Sequence, residues 1–472
     1  MDPATQNTTL LSRTFDGLAK LWRQNTSRGL TAEPLPISPY LHEEEQKNLL
    51  ELMTDCLSGR GGEVTARHRA AKLGETYLLL NSEGRKKMLQ LLATRFPLDR
   101  DAINDAVVNL FDAQTPGDEL QAAQTLRTCL RPPHIRLLTQ FNALPQGVQF
   151  LVDMRADLIR CKRDDAALQA LDDDLQRQLK SWFDVGFLEL RQITWQAPAS
   201  LLEKLIQYEA VHPVTNWQDL KHRLADDRRC FAFFHPQMPD EPLIFVWVAL
   251  CNTIADDVQA LLDPETPSFD PNLATTAIFY SISSTQPGLA GVNLGDFLIK
   301  RVVERLLAEL PTLDTFSTLS PIPGFRRWAT DFLSGEEAES FIEAAPPETA
   351  LLREGQPVAD WLASGDWLED RTKRHAAETL MVPLCARYLC LEKRKNGVSA
   401  ADPVAHFHLS NGARVHQINR YADRSERGIK QSFGLMVNYL YQLDAIEDSH
   451  EAYVEQGEIS TSDAVQKLLP AS

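Results

Sequence analysis

Apolar residues recur at three- and four-residue spacing through most of the chain between Glu43 and Lys180. "EEEQKNLLELMTDCL", "RKKMLQLLATRF", "RDAINDAVVNLF" and "VQFLVDMRADLIRC" each carry such a stripe, which an α-helix gathers on one face and buries there. The stripes stop at "GRGGE", "NSEG", "FPLD", "TPGD", "RPPH" and "LPQG", where glycine, proline and capping residues end a helix. This pattern predicts an all-α bundle over residues 41–180. It shows no internal repeat and no cluster of reactive side chains, so its expected task is assembly into a homo-oligomer, a tetramer or a dimer.

After Trp182 the period changes. "RRCFAFFHPQMPDEPLIFVWVALC" holds two β-prone runs around a proline-rich turn and predicts an antiparallel pair. "TTAIFYSISS", Thr275–Ser284, predicts a third strand, and "LDTFSTLSPI" a fourth. Between these two, Gly288, Gly291 and Gly295 open a loop, and an amphipathic stripe from Phe297 to Leu310 predicts a long helix. Strand, glycine-rich loop, helix and strand make a crossover unit, so residues 181–472 read as mixed α/β. The acidic stretch from Glu336 to Pro357 reads as an inserted loop or short helices. "VSAADPVAHFHLSNGARVHQINR" reads as partly extended and "SERGIKQSFGLMVNYLYQL" as helical at its end, while residues 1–40 read as a partly flexible N-terminal segment.

Composition narrows the function. The 472 residues, 43% hydrophobic and 24% charged, suit a soluble globular protein of two or three domains. A net charge of −17 argues against nucleic-acid binding and obliges any anionic ligand to find a locally positive pocket. The seven cysteines (Cys56, Cys129, Cys161, Cys230, Cys251, Cys385 and Cys390) are odd in number and lack CxxC spacing, which suits reduced thiols in the cytoplasm. No run approaches 18 apolar residues, so no membrane span is expected. The first residues lack an apolar signal core, although Arg13, Lys20 and Arg23 among hydroxyl residues give a weak organelle-presequence character.

The glycine loop before the long helix is a candidate anion site, because loop N–H groups and the helix dipole both favour negative charge. It is neither a P-loop nor GxGxxG, and packing alone would also explain three glycines. Lys300, Arg301, Arg326 and Arg327 could supply positive field, against the blander reading of solvated surface charge. In "FSTLSPIPGFRRWAT", Ser320 stands before two prolines, where it either ends a strand or is held to meet a substrate. His406 and His408 form H-x-H, which on a strand would place both on one face, but no third ligand stands nearby and no metal is expected. Nicotinamide, lipoyl and biotin signatures are absent, so no cofactor is expected. From the residues alone the chain is a cytosolic α/β enzyme that binds a phosphorylated ligand.

Five segments in order, "HPQMPDEPLIFVWVAL", "FYSISSTQPGLAGVNLGDFLIKRVV", "FSTLSPIPGF", "FHLSNGA" and "GLMVNYLY", resemble the malonyl-CoA decarboxylase family across Trp182–Leu443. That resemblance implies a C-terminal catalytic domain of the GNAT acetyltransferase type behind a helical oligomerisation domain. It also implies malonyl-CoA as substrate, with acetyl-CoA and carbon dioxide as products. Family roles fall on Ser320, His408 rather than His406, and Tyr441, with coenzyme A held by Ala290, Gly291, Val292, Asn293, Leu294, Gly295 and Asp296. Many relatives have glutamate where this chain has Asn293, so a carboxylate relay at that position is replaced by an amide. On this view a thioester serves as the electron sink, Ser320 and His408 both touch the malonyl group and deliver a proton, and His408 is tunable near neutral pH. The competing readings are a GNAT-type acyltransferase with a second acceptor groove, and a non-catalytic acyl-CoA-binding scaffold.

Overall fold

The computed structural model describes residues 35–58, 62–295, 298–353 and 357–470. They fall into two compact units. One runs up to Leu188 and includes His235–Pro239 and Gln286–Asn293; the other comprises Glu189–Phe234, Asp240–Thr285 and the chain from Leu294. The presequence character of Arg13, Lys20 and Arg23 lies outside the described residues.

The first unit is helical. Its α-helices are α1 (Glu43–Leu57), α2 (Gly62–Leu79), α3 (Ser82–Thr94), α4 (Arg100–Phe111), α5 (Pro116–Cys129), α6 (Pro133–Asn142), α7 (Gly147–Cys161) and α8 (Ala166–Trp182). Sequence signals set their starts: Asn81 accepts from the Gly84 N–H, Asp99 from Asp101 and Ala102, and Asp165 from Ala167 and Leu168. Pro116 and Pro133 sit in first turns, where no N–H is needed. Helix α7 is the centre, with Val148, Phe150, Leu151, Met154 and Leu158 all buried. Burying such side chains contributes about 1.5–3 kcal/mol each. Its first residue must be glycine, because a Cβ at Gly147 would overlap the Phe141 carbonyl.

The second unit is a mixed sheet with helices. Its strands are β1 (Glu189–Ile193), β2 (Arg228–His235), β3 (Met238–Cys251), β4 (Thr276–Ser284), β5 (Thr315–Thr318), β6 (Ser320–Pro321), β7 (Arg414–Asn419) and β8 (Met436–Tyr441). The strand order is β1-β2-β3-β4-β5-β8-β6, and β7 also pairs with β8. Strands β4 and β5 are parallel, Thr276 opposite Thr315, and helix α9 (Leu298–Glu309) joins them as the crossover. The central strands β3 and β4 are buried nearly throughout, which is why they read as unbroken apolar runs. Trp247, Phe245, Tyr280 and Leu319 anchor a continuous core on one face.

Three local expectations need correction. The β2–β3 turn is short, and the strand resumes at Met238, taking Pro239 and Pro242 with it. "VSAADPVAHFHLSNGARVHQINR" is extended in its later part, β7, but the H-x-H pair is not on a strand: Asp402 caps a helix, Pro403–Leu409, with Pro403 in its first turn. "SERGIKQSFGLMVNYLYQL" is helical at its start, Glu426–Ser432, and ends as β8. Phe433 and Gly434, with φ of 55° and 82°, turn the chain between the two.

Candidate active site

Ser320 reaches its place through the break between β5 and β6. It pairs antiparallel with Val437, and Pro321 behind it holds the serine backbone extended. The Ser320 hydroxyl donates to Thr318 Oγ1 at 2.9 Å and lies 3.1 Å from His408 Nε2. Thr318 Oγ1 also accepts the Tyr439 backbone N–H at 3.1 Å, so its orientation is set by β8. The other ring nitrogen, His408 Nδ1, is 2.8 Å from the Tyr441 hydroxyl. Tyr439 stacks on the imidazole at a centroid distance of 4.6 Å, and Phe407 meets it edge-on at 5.0 Å.

The helix that carries His408 is fixed by Asp402, whose Oδ1 accepts from the Val404 and Ala405 N–H groups. Residues two apart on a helix point about 200° apart around its axis. His406 and His408 accordingly diverge: His406 Nδ1 meets the Tyr453 hydroxyl at 2.8 Å, and His408 meets Ser320. The shared face expected of H-x-H therefore does not form. Among the described residues no group of three His, Cys, Asp or Glu could hold a metal ion.

Burial governs the chemistry. Ser320, His408 and Tyr441 are 5%, 3% and 3% exposed. With no carboxylate bonded to it among the described residues, the His408 imidazole is pushed down to about 3 by burial. The expectation of a ring tuned near neutral pH is thus overturned, and His408 is a neutral imidazole at pH 7. Burial pushes the Tyr441 phenol well above its ordinary value, so it keeps its proton. Ser320 and His408 line a cavity of about 240 Å³ whose other walls include Ile244, Phe279, Ile282, Pro321, Val404 and Phe407. Tyr280, Ser281 and Ser284 are its other hydroxyl-bearing residues. Such a space suits a small acyl group.

The remaining site candidates are placed as follows. Ala290, Gly291, Val292 and Asn293 belong to the helical unit, and Leu294 and Gly295 to the sheet unit; Asp296 lies outside the described residues. Gly291 has a φ of +76°, open to glycine at little cost. The backbone N–H groups of Gly291 and Asn293 have no partner among the described residues. A Cβ on Gly295 would overlap the Phe407 ring. Of the four cations, Arg301 and Arg327 are exposed, Lys300 pairs with Glu447, and Arg326 bonds the Ile429 and Ala363 carbonyls. The solvated-charge reading holds for the first two.

Sequence reasoning missed Thr318, Tyr439 and Asp402. Only Asp402 left a signal, the Asp-Pro pair that starts a helix.

A helical region followed by a mixed α/β sheet, with a buried serine–histidine–tyrosine chain facing a cavity, defines a two-unit α+β enzyme. The family model for the malonyl-CoA decarboxylase C-terminal domain matches residues 186–472, and that for the N-terminal domain matches residues 96–183. The mitochondrial malonyl-CoA decarboxylase of Mus musculus is 37% identical over 410 residues, 83% of each chain. That of Anser anser anser is 35% identical over 467 residues, 95% of this chain and 92% of the other. The crystal structure of malonyl-CoA decarboxylase from Agrobacterium vitis superposes with a TM-score of 0.81 at 40% identity, covering 89% of this chain and 99% of that one. The one from Rhodopseudomonas palustris gives 0.80 at 38%, covering 92% and 100%. The chain belongs to the malonyl-CoA decarboxylase family and is an enzyme.

Proposed function

We propose that the chain converts malonyl-CoA to acetyl-CoA and carbon dioxide through Ser320 and His408. The observation that carries this reading is the hydrogen-bonded chain Tyr441–His408–Ser320 at a small, mostly apolar cavity. In the reaction the bond from the α-carbon to the carboxylate breaks. Its electron pair moves onto the thioester oxygen as an enolate, and a solvent-derived proton then adds to carbon. The thioester is itself the electron sink.

The protein's part is orientation and donation. Tyr441 keeps its proton and has His408 Nδ1 as its acceptor, so the ring proton sits on Nε2 and points at Ser320 Oγ. Ser320 accepts that bond, and its own proton is free to turn from Thr318 to the enolate oxygen. A fixed donor in a water-poor site contributes about 3–4 kcal/mol. The approach of the anionic malonyl group raises the proton affinity of the neutral ring, so His408 is charged only when substrate is present. The proton that replaces the carboxylate enters through this pair.

Ala290–Asp296 is assigned to the CoA phosphates, with the Gly291 and Asn293 N–H groups, which have no partner among the described residues, as donors; Asn293 adds an amide where many relatives carry glutamate. Helices α1–α8 are assigned to homo-oligomer assembly, a tetramer or a dimer, which light scattering of the intact protein and of residues 181–472 tests. Loss of the oligomer on truncation supports it; its retention contradicts it. Among the described residues no helix is long and apolar enough to cross a membrane. All seven cysteines are unpaired, and we assign the chain to the cytoplasm, although its curated relatives are mitochondrial. Fractionation of the source cells decides the compartment.

The test is incubation of pure protein with malonyl-CoA in deuterated water. Acetyl-CoA carrying one solvent deuteron supports decarboxylation. Inert malonyl-CoA with acetyl transfer to an amine indicates an acyltransferase, and binding without turnover indicates a scaffold.

A further inference from the structure

Within the helical unit, segment 286–293 is fastened by side chains of α7 and α8. Arg155 on α7 is 2% exposed, and its Nη1 donates to two carbonyls of this segment, Gly288 at 2.7 Å and Ala290 at 2.8 Å. Its Nε donates to Asp172 on α8 at 2.9 Å, and Lys162 pairs with the other oxygen of that carboxylate. Gln176, one turn along α8 from Asp172, donates to the Ala290 carbonyl at 3.3 Å. The approach is close enough that a Cβ on Gly288 would overlap the Val152 carbonyl of α7.

We infer that Arg155 is a positioning residue for coenzyme A, acting through the backbone of residues 288–291. This rests on the assignment of the CoA phosphates to Ala290–Asp296. A carbonyl oxygen facing a phosphate repels it, and a loop binds an anion only if its carbonyls are turned elsewhere. The forked, planar guanidinium engages Asp172 and two carbonyls together, and a lysine ammonium on a flexible stem does not reproduce that geometry. Holding the Gly288 and Ala290 oxygens on Arg155 leaves the Gly291 and Asn293 N–H groups for the ligand. Arg155 and Lys162 share the Asp172 carboxylate, which holds the guanidinium in place.

The experiment compares wild type, Arg155→Lys and Gln176→Ala by steady-state kinetics with malonyl-CoA, calorimetric titration with CoA, and amide exchange over residues 286–293. If wild type neither binds CoA nor turns over malonyl-CoA, the functional reading fails before Arg155 is tested. With an active wild type, Arg155→Lys is expected to raise KM and the CoA Kd about 10–100-fold, with kcat within about 3-fold. Exchange over 286–293 should quicken and no longer slow on adding CoA. A folded Arg155→Lys with KM and Kd within about 2-fold of wild type overturns the inference, as does a fall in kcat at constant KM. If that variant does not fold, Gln176→Ala decides: about 2–5-fold weaker CoA binding with faster exchange supports the inference, and no change in either overturns it.

Discussion

Arg155 in the helical unit and His408 in the sheet unit are both basic and both almost fully buried, yet they are kept in opposite charge states. Arg155 has Asp172 against it, as Arg85 in the same unit has Asp157. His408 has hydroxyls and aromatic rings as its side-chain partners among the described residues, so burial strips its proton. Buried charge met by charge makes a rigid clamp, which on the proposed reading suits a segment that presents N–H groups to the CoA phosphates. On the proposed reading a neutral ring in an apolar wall is charged only by the substrate, so that one site grips and the other reacts, and each is open to separate test.

The largest expected effect lies on His408. His408→Asn should lower kcat by about 10²–10⁴ with a small change in KM, the reverse of the pattern expected at Arg155. If both variants act on the same kinetic constant, the contrast between the two units collapses.

Next in size is a pH effect on stability. The His408 proton affinity is depressed in the folded state, to about 3 against about 6.5 unfolded, so the unfolded chain binds the extra proton between those values. Stability is therefore lost as pH falls from about 6.5 towards 3, with a slope of at most about 1.4 kcal/mol per pH unit from this group. His408→Asn should remove that slope. The wild-type-minus-variant difference from denaturant melts should shrink by about 2–3 kcal/mol between pH 6.5 and 4.5. The same difference at both pH values would show that the ring is not held neutral.

Tyr441→Phe should be milder, about 10-fold in kcat, because the phenol fixes the tautomer and the ring still touches Ser320. A loss as large as that of His408→Asn would make the phenol a proton donor in its own right.

How much of this was legible in the sequence differs between the units. Three- and four-residue periodicity marked the helical region, and the glycine-rich loop before an amphipathic stripe marked the β4–α9–β5 crossover, since both are local patterns. Ser320 was marked by the prolines after it. His408 was chosen over His406 only through family resemblance; the helix cap at Asp402, which separates the two rings, was present in "ADP" but was not read as a helix start. Strand β8 was read as helix because "MVNYLY" has no long flanking context, and its pairing with β5, β6 and β7 is non-local. The role of Arg155 was not legible at all. Its partners lie 133 and 135 residues away, and an arginine inside an amphipathic helix looks like solvated surface.

The measurement that tests the central claim most directly is a double-mutant cycle on malonyl-CoA turnover with Ser320→Ala, His408→Asn and both together, and His406→Asn as control. Two residues acting as one hydrogen-bonded unit should make the double variant no more than about 3-fold slower than the worse single one, with His406→Asn near wild type. Single losses that multiply, or a His406→Asn that abolishes decarboxylation while His408→Asn retains it, would contradict the account.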